Sequence, residues 1–235
     1  MFVIPEGNLR FQPLHHQSIR ILRRTELPTS QRTPIWNHYN HDMPQASPLT
    51  IGVLALQGAY DAHARVLTAL GATPRLVRTP HALREIDALI IPGGESTTIL
   101  KFLERDNFFD ALAAFVHAKP TFGTCAGAIL LAKDVANSSQ KSLNALDITV
   151  ERNAYGRQND STILTEVTTL PGSPLEMVFI RAPRISRLGP GIETLATRNG
   201  DPVLIRAGHL LAATFHPELS NDIRVHQLFL DMLPA

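Results

Sequence analysis

Pro120-Thr121-Phe122-Gly123-Thr124-Cys125-Ala126-Gly127 runs from a short apolar segment into a Gly-x-Cys-x-Gly turn. Residues Ala126–Lys133 read as helix behind it. A strand that turns sharply into a helix at such a residue has the layout of a nucleophile elbow, with sulfur where serine oxygen is more usual. The flanking glycines leave room for torsions and close packing that a Cβ would block. The turn aims the thiol at the helix start, whose free N–H groups favour a thiolate. Cys125 is the only cysteine in the 235-residue chain, so no intramolecular disulfide competes. On this pentapeptide alone, a buried cysteine acting as a small hydrophobe remains the other reading.

Outward from the elbow, strand and helix signals alternate. Thr50–Leu56 is a continuous apolar run, as a strand buried on both faces should be, and Gln57-Gly58 ends it. Tyr60–Leu70 reads as a helix with Ala62, Val66, Ala69 and Leu70 facing inward and Gly71 as its stop. Strands are expected at Arg75–Arg78 and Asp87–Ile91, the second closed by Pro92-Gly93-Gly94, and helices at Thr97–Glu104 and Asn107–Ala118. This rhythm predicts a parallel sheet covered by helices on both faces. Ligands of such sheets bind outside the carboxyl ends of the strands. Gln57, Gly93-Gly94 and Cys125 all fall at such ends.

The second half changes character. Ile148–Val150, Ile163–Val167, Met177–Ile180, Thr194–Thr197 and Pro202–Arg206 read as short strands, with Asn199-Gly200 as a hairpin turn. Leu210–Phe215 is a further apolar strand, ending at His216-Pro217-Glu218, and Asp222–Met232 reads as the last helix.

A net charge of +1 gives no electrostatic case for nucleic-acid binding. No apolar run approaches the roughly 18 residues that span a bilayer, and cysteine poverty fits a reducing, cytoplasmic setting. Residues 1–48 carry five Arg, no Lys and three acids, with six prolines and no sustained periodicity. They read as a poorly ordered extension ahead of a domain at 49–235, with Met43 a candidate start. His15-His16 and His38/His41 lack ligand spacing, so no metal is expected.

A cysteine nucleophile needs a base, and the base needs a group to orient it. His216 and Glu218 supply both: residues i and i+2 of an extended segment point the same way, so Glu218 reaches the imidazole from behind. Gly-Thr-Cys-Ala-Gly with Phe-His-Pro-Glu about ninety residues on resembles the triad-type (class I) glutamine amidotransferases. Leu56-Gln57-Gly58, Pro92–Thr98, Arg152-Asn153-Ala154-Tyr155-Gly156-Arg157-Gln158 and Phe179-Ile180-Arg181-Ala182-Pro183 are similar to the glutaminase subunits of pyridoxal 5′-phosphate synthases. The resemblance runs from about Thr50 to Leu233.

That resemblance implies an α/β, flavodoxin-like three-layer sandwich, its central sheet mostly parallel, with an antiparallel region added in the second half. It implies hydrolysis of L-glutamine to glutamate and ammonia through a Cys125 thioester, with His216 moving protons and Glu218 holding His216. The oxyanion donors would be the amides of Gly94 and Ala126. Gly94, Glu95, Ser96, Arg152, Ile180 and Arg181 would line the glutamine site. For Glu95 a capping role beside Ser96 is equally open, and Gln57 is placed near the oxyanion turn or a partner surface. His63 is read as structural or interfacial. No cofactor is implied. The implied partner is a (β/α)₈-barrel synthase assembled as a double ring, which receives the ammonia and completes the oxyanion hole on docking.

Overall fold

The computed structural model describes residues 49–152, 154 and 161–234. In chain order the elements are β1 (Thr50–Leu54), α1 (Tyr60–Ala69), β2 (Thr73–Val77), a 3₁₀ turn (Pro80–Glu85), β3 (Ala88–Ile91), α2 (Ser96–Leu103), α3 (Phe108–Ala118), β4 (Thr121–Thr124), α4 (Ala126–Leu131), β5 (Ala132–Ala136), β6 (Leu146–Glu151), β7 (Thr162–Glu166), β8 (Leu175–Phe179), β9 (Arg184–Leu188), β10 (Glu193–Arg198), β11 (Asp201–Ala207), β12 (Leu210–Ala213), a second 3₁₀ turn (Pro217–Leu219) and α5 (Arg224–Asp231). The expected extension over 1–48, and Asn153 and Tyr155–Gln158 of the arginine-rich string, lie outside the described residues.

The central sheet has seven strands in the order β10-β11-β12-β4-β3-β1-β2. From β12 to β2 every pairing is parallel; β10, β11 and β12 pair antiparallel. The α/β class and the antiparallel addition are as expected. Asn199 and Gly200 both adopt positive φ, 52° and 88°, and close the β10–β11 hairpin.

Successive side chains of a strand face opposite ways, so each buried strand feeds two cores. Leu89 and Ile91 face a cluster with Ile99, Leu103, Leu112 and Leu130 from α2, α3 and α4. Ala88, Ile90 and Phe122 face the other cluster, with Leu67 of α1 and Val225 and Phe229 of α5. Each large side chain taken fully out of water contributes about 1.5–3 kcal/mol.

Three local expectations are corrected. Ala69 is exposed and His63 buried, so the inner face of α1 turns onto Ala62, His63 and Leu67; a buried hydrogen-bond network around His63 sets that rotation. The helix after Cys125 stops at Leu131, and Ala132–Ala136 is a strand on β6. Leu143 N and Ala145 N donate to the carbonyls of Leu130 and Leu131, which satisfies the end of α4 and leaves it no reason to continue. Finally β8 runs over Leu175–Phe179 rather than Met177–Ile180, so Arg181 lies beyond its end. It sits exposed at the strand exit with φ 45°.

Candidate active site

β4 delivers Cys125 to the carboxyl edge of the sheet. The residue has φ 47° and ψ −102°, outside the ordinary backbone regions, and is 7% exposed. Its own N–H donates to Ala213 O (2.8 Å) on neighbouring β12, which fixes the elbow to the sheet. Behind it α4 must lie close against β3 and β4. A Cβ on Gly127 would stand 2.1 Å from Ile91 O, so only glycine allows the approach. With six residues, α4 offers Cys125 its first-turn N–H groups rather than a long dipole.

β12 runs parallel to β4 and leads to His216, whose N–H donates to Val178 O (2.8 Å) on β8. His216 Nδ1 lies 2.7 Å from Glu218 Oε1. The expected geometry of an extended i, i+2 pair is replaced here. The strand ends at Ala213, His216 has φ −110° and ψ 83°, and Pro217–Leu219 is a 3₁₀ turn that swings Glu218 back onto the ring. The imidazole packs so tightly over the Gly93 turn that a Cβ there would stand 2.3 Å from its Cε1, and 3.2 Å from Cys125 Cβ. Burial disfavours the charged ring, but hydrogen bonding and charge from Cys125 and Glu218 outweigh it and push His216 up to about 10. Glu218 is held below the usual carboxylate range: burial opposes its charge, and His63 and His216 more than offset that. A protonated imidazole beside a cysteine is the partner a thiolate needs.

Cys125 and His216 open onto a pocket walled by Gly94, Glu95, Ser96, Arg152, Ile180 and Arg181. The structure therefore brings all the site residues expected from sequence to one place, apart from two. Ala126 is buried directly behind Cys125, and Glu218 sits behind His216. Glu95 N donates to Gln57 Oε1 (2.7 Å), which puts Gln57 at this turn. Glu95 caps α2 through Thr97 N (3.3 Å) and Thr97 Oγ1 (2.9 Å) and also receives Arg152 Nη2 (3.2 Å). Ile180 O lies 3.9 Å from Cys125 Sγ. The Gly93 carbonyl accepts from Ala59 N (3.1 Å), which sets the plane of the Gly93–Gly94 peptide.

One pocket residue and two residues that support its wall went unread in the sequence. Ile129, on α4, lines the wall. Gln140 Oε1 accepts from Ser96 Oγ (3.0 Å), but it comes from a loop with no distinguishing pattern. Thr124 carries the Gly93 turn by accepting from Gly93 N at 2.9 Å; its place beside Cys125 was the available signal. Among the described residues no group of three or more His, Cys, Asp or Glu is arranged to hold a metal ion.

Residues 53–234 match the model of the SNO glutamine amidotransferase family. The chain is 62% identical over 185 residues to the protein named pyridoxal 5'-phosphate synthase subunit PdxT of Koribacter versatilis (strain Ellin345), covering 79% of this chain and 96% of that one. To the protein of the same name from Solibacter usitatus (strain Ellin6076) it is 54% identical over 190 residues, covering 78% and 98%. A crystal structure of a glutamine amidotransferase superposes with a TM-score of 0.73 at 44% identity, covering 77% of this chain and 97% of that chain. A glutamine amidotransferase structure from Thermotoga maritima, 14% identical with a TM-score of 0.51 over 79% and 84%, shares the fold.

Proposed function

The chain belongs to the SNO glutamine amidotransferase family, and from that premise we propose that it is the glutaminase subunit of a pyridoxal 5′-phosphate synthase, with Cys125, His216 and Glu218 as its hydrolytic machinery. The observation that carries the assignment of roles is His216, held by Glu218 at 2.7 Å, standing beside the one cysteine at the mouth of a pocket.

The Cys125 thiolate attacks the side-chain carboxamide carbon of glutamine, and the carbonyl electrons move onto oxygen. The amides of Gly94 and Ala126 receive that oxyanion; each such donor is worth about 10²–10³ in rate. On collapse the C–N bond breaks and ammonia leaves with the proton from His216, giving a glutamyl thioester. His216 then takes a proton from water as the water oxygen attacks the thioester. The C–S bond breaks, and glutamate and the thiolate remain. Glu218 keeps the imidazole in one tautomer throughout. The Arg181 and Arg152 guanidiniums suit the α-carboxylate of the substrate, since they pair with carboxylates in a planar fork.

Ammonia released into water would protonate and escape, so the product passes to a synthase partner. We take that partner to be a (β/α)₈-barrel subunit in a double ring, and its docking to complete the oxyanion hole at the Gly93–Gly94 peptide. Residues 1–48 precede the part that does this chemistry, and the reaction is assigned to the cytoplasm. Among the described residues, no helix is long and apolar enough to cross a membrane.

Glutamate release, measured with and without the synthase subunit for wild type and Cys125→Ala, tests this. Release by wild type should rise on adding the synthase and vanish in Cys125→Ala. Equal turnover by the alanine variant would end the assignment of Cys125, and equal wild-type turnover with and without the synthase would end the docking step.

A further inference from the structure

His63 is completely buried, yet the hydrolytic steps above make no use of it. A buried imidazole is costly unless its nitrogens have partners. Its Nδ1 lies 2.9 Å from His226 Nε2 on α5. Its Nε2 lies 3.1 Å from Thr124 Oγ1 on β4 and 3.4 Å from Glu218 Oε2 in the 3₁₀ turn after His216. Phe122 stands edge-on to both rings, with centroids 6.3 Å and 5.9 Å away.

The surroundings of Nε2 decide which nitrogen carries the proton. Glu218 is a carboxylate and only accepts, and Oε2 has no hydrogen bond of its own. A bare lone pair on Nε2 would face that oxygen and repel it. The proton is therefore on Nε2, aimed between Glu218 Oε2 and Thr124 Oγ1. Nδ1 then accepts from His226 Nε2–H, which leaves His226 Nδ1 as the nitrogen without a partner, as observed. Burial pushes His63 down to about 4, with Glu218 opposing and His216 adding, and pushes His226 down to about 3, with His63 adding and Glu218 opposing. Both rings are neutral at neutral pH, as this relay requires.

We propose, on the glutaminase reading above, that His63 is a positioning residue of the hydrolytic machinery: its Nε2–H holds the second carboxylate oxygen of Glu218 and joins it, through Thr124 Oγ1, to the Gly93 turn beside the oxyanion site. Glu218 is thus gripped on both sides, by His216 on Oε1 and His63 on Oε2. Thr124 Oγ1 also takes the Gly93 N–H at 2.9 Å. One buried imidazole so keeps in register the carboxylate behind the base and the turn that carries the Gly94 amide. At 3.4 Å the contact with Oε2 is a charge–dipole hold rather than a short hydrogen bond. Catalytic contacts of this kind often tighten in the working complex.

Two substitutions of near-equal polarity separate positioning from packing. In His63→Gln the side-chain amide reaches the place of Nε2 and still donates to Glu218. In His63→Asn it reaches only the place of Nδ1, keeps His226 and leaves Glu218 Oε2 bare. Glutaminase rates are measured with the synthase subunit present. Iodoacetamide alkylation of Cys125, the sole thiol, is followed from about pH 5 to about pH 10 without it. His63→Asn should lower kcat ~10- to 100-fold with KM nearly unchanged, the scale of one hydrogen bond to a charged group. It should also move the alkylation midpoint upward, because a loosened Glu218 no longer keeps His216 protonated beside the sulfur. His63→Gln should recover most of both changes. Equal behaviour of the two variants, or an unchanged alkylation profile in folded His63→Asn, overturns the proposal. His216→Asn is the control for the underlying reading. If it leaves the alkylation profile unmoved, the base assignment has failed; if it shifts the profile and the His63 variants do not, only the role of His63 has failed.

Discussion

Cys125 holds a backbone geometry that side chains with a Cβ adopt at a cost of about 1–3 kcal/mol. The proposed mechanism requires it, because φ 47° is what turns the thiol out of the sheet and toward His216. Glycine adopts the same torsions freely, at an entropic cost below about 1 kcal/mol. Cys125→Gly should therefore be inactive yet more stable than Cys125→Ala by about 1 kcal/mol in urea denaturation. Equal midpoints for the two would mean that the elbow stores no strain. That Cys125, His216 and Glu218 would meet was legible in the sequence because the proposed thiol chemistry demands these residue types, and their short flanking strings are specific. Thr124, Gln140 and His63 were not. A threonine hydroxyl, a loop amide and a helical histidine have common structural uses, and only three-dimensional placement separates those from a role beside the triad.

At the level of elements, the site depends on how closely α4 can lie on the sheet. Gly127 meets Ile91 O, and Gly123 of β4 meets the Gly127 backbone, with a Cβ there only 2.7 Å from it. Backbone cannot yield as a flexible side chain does. Gly127→Ala should destabilise the protein by ~1–3 kcal/mol or more and displace Cys125, so that kcat falls even in the fraction that remains folded. Thermal denaturation together with active-site alkylation reads both effects. An unchanged melting temperature would show that α4 has room to move. The main strands were readable here because their apolar runs are unbroken, from Thr50–Leu54 to Leu210–Ala213. β9 escaped notice because only Ile185 among its five residues is buried. It is held to β6 by an antiparallel backbone ladder, with Arg184–Glu151 and Arg187–Asp147 pairs across it, and neither leaves a hydrophobic period. β5 was hidden for another reason. Nothing in Ala132–Ala136 forbids helix, and the stop is imposed by Leu143 and Ala145, distant in sequence, on the carbonyls of α4.

For the whole molecule, the buried histidines set how stability varies with pH. His63 and His226 stay neutral in the fold down to about 4 and about 3, while in the unfolded chain they take protons from their ordinary value near 6.5. The unfolded state therefore gains protons first, and stability falls as pH drops below about 6.5. Glu218, depressed in the fold, adds to this acid loss. His216 acts in the opposite sense. With its folded value raised to about 10, its contribution is complete below about 6.5 and is lost as pH rises toward 10. Urea midpoints should peak near neutral pH, with each limb on the order of a few kcal/mol. His226→Phe should flatten the acid limb and His216→Asn the alkaline one. A wild-type midpoint that does not change between pH 4 and pH 7 would contradict the burial of neutral rings.

Three adjoining strands each end in one working part: β3 in the Gly93–Gly94 turn, β4 in the sulfur and β12 in the imidazole. What spaces these parts is the hydrogen-bonded repeat of the sheet, about 4.8 Å from strand to strand. Among the described residues these three parts are thus spaced by the sheet itself rather than by a support of their own. A molecule whose sheet has parted cannot keep the three parts in register, so at saturating synthase the turnover of a stressed wild-type population counts the molecules whose sheet is intact.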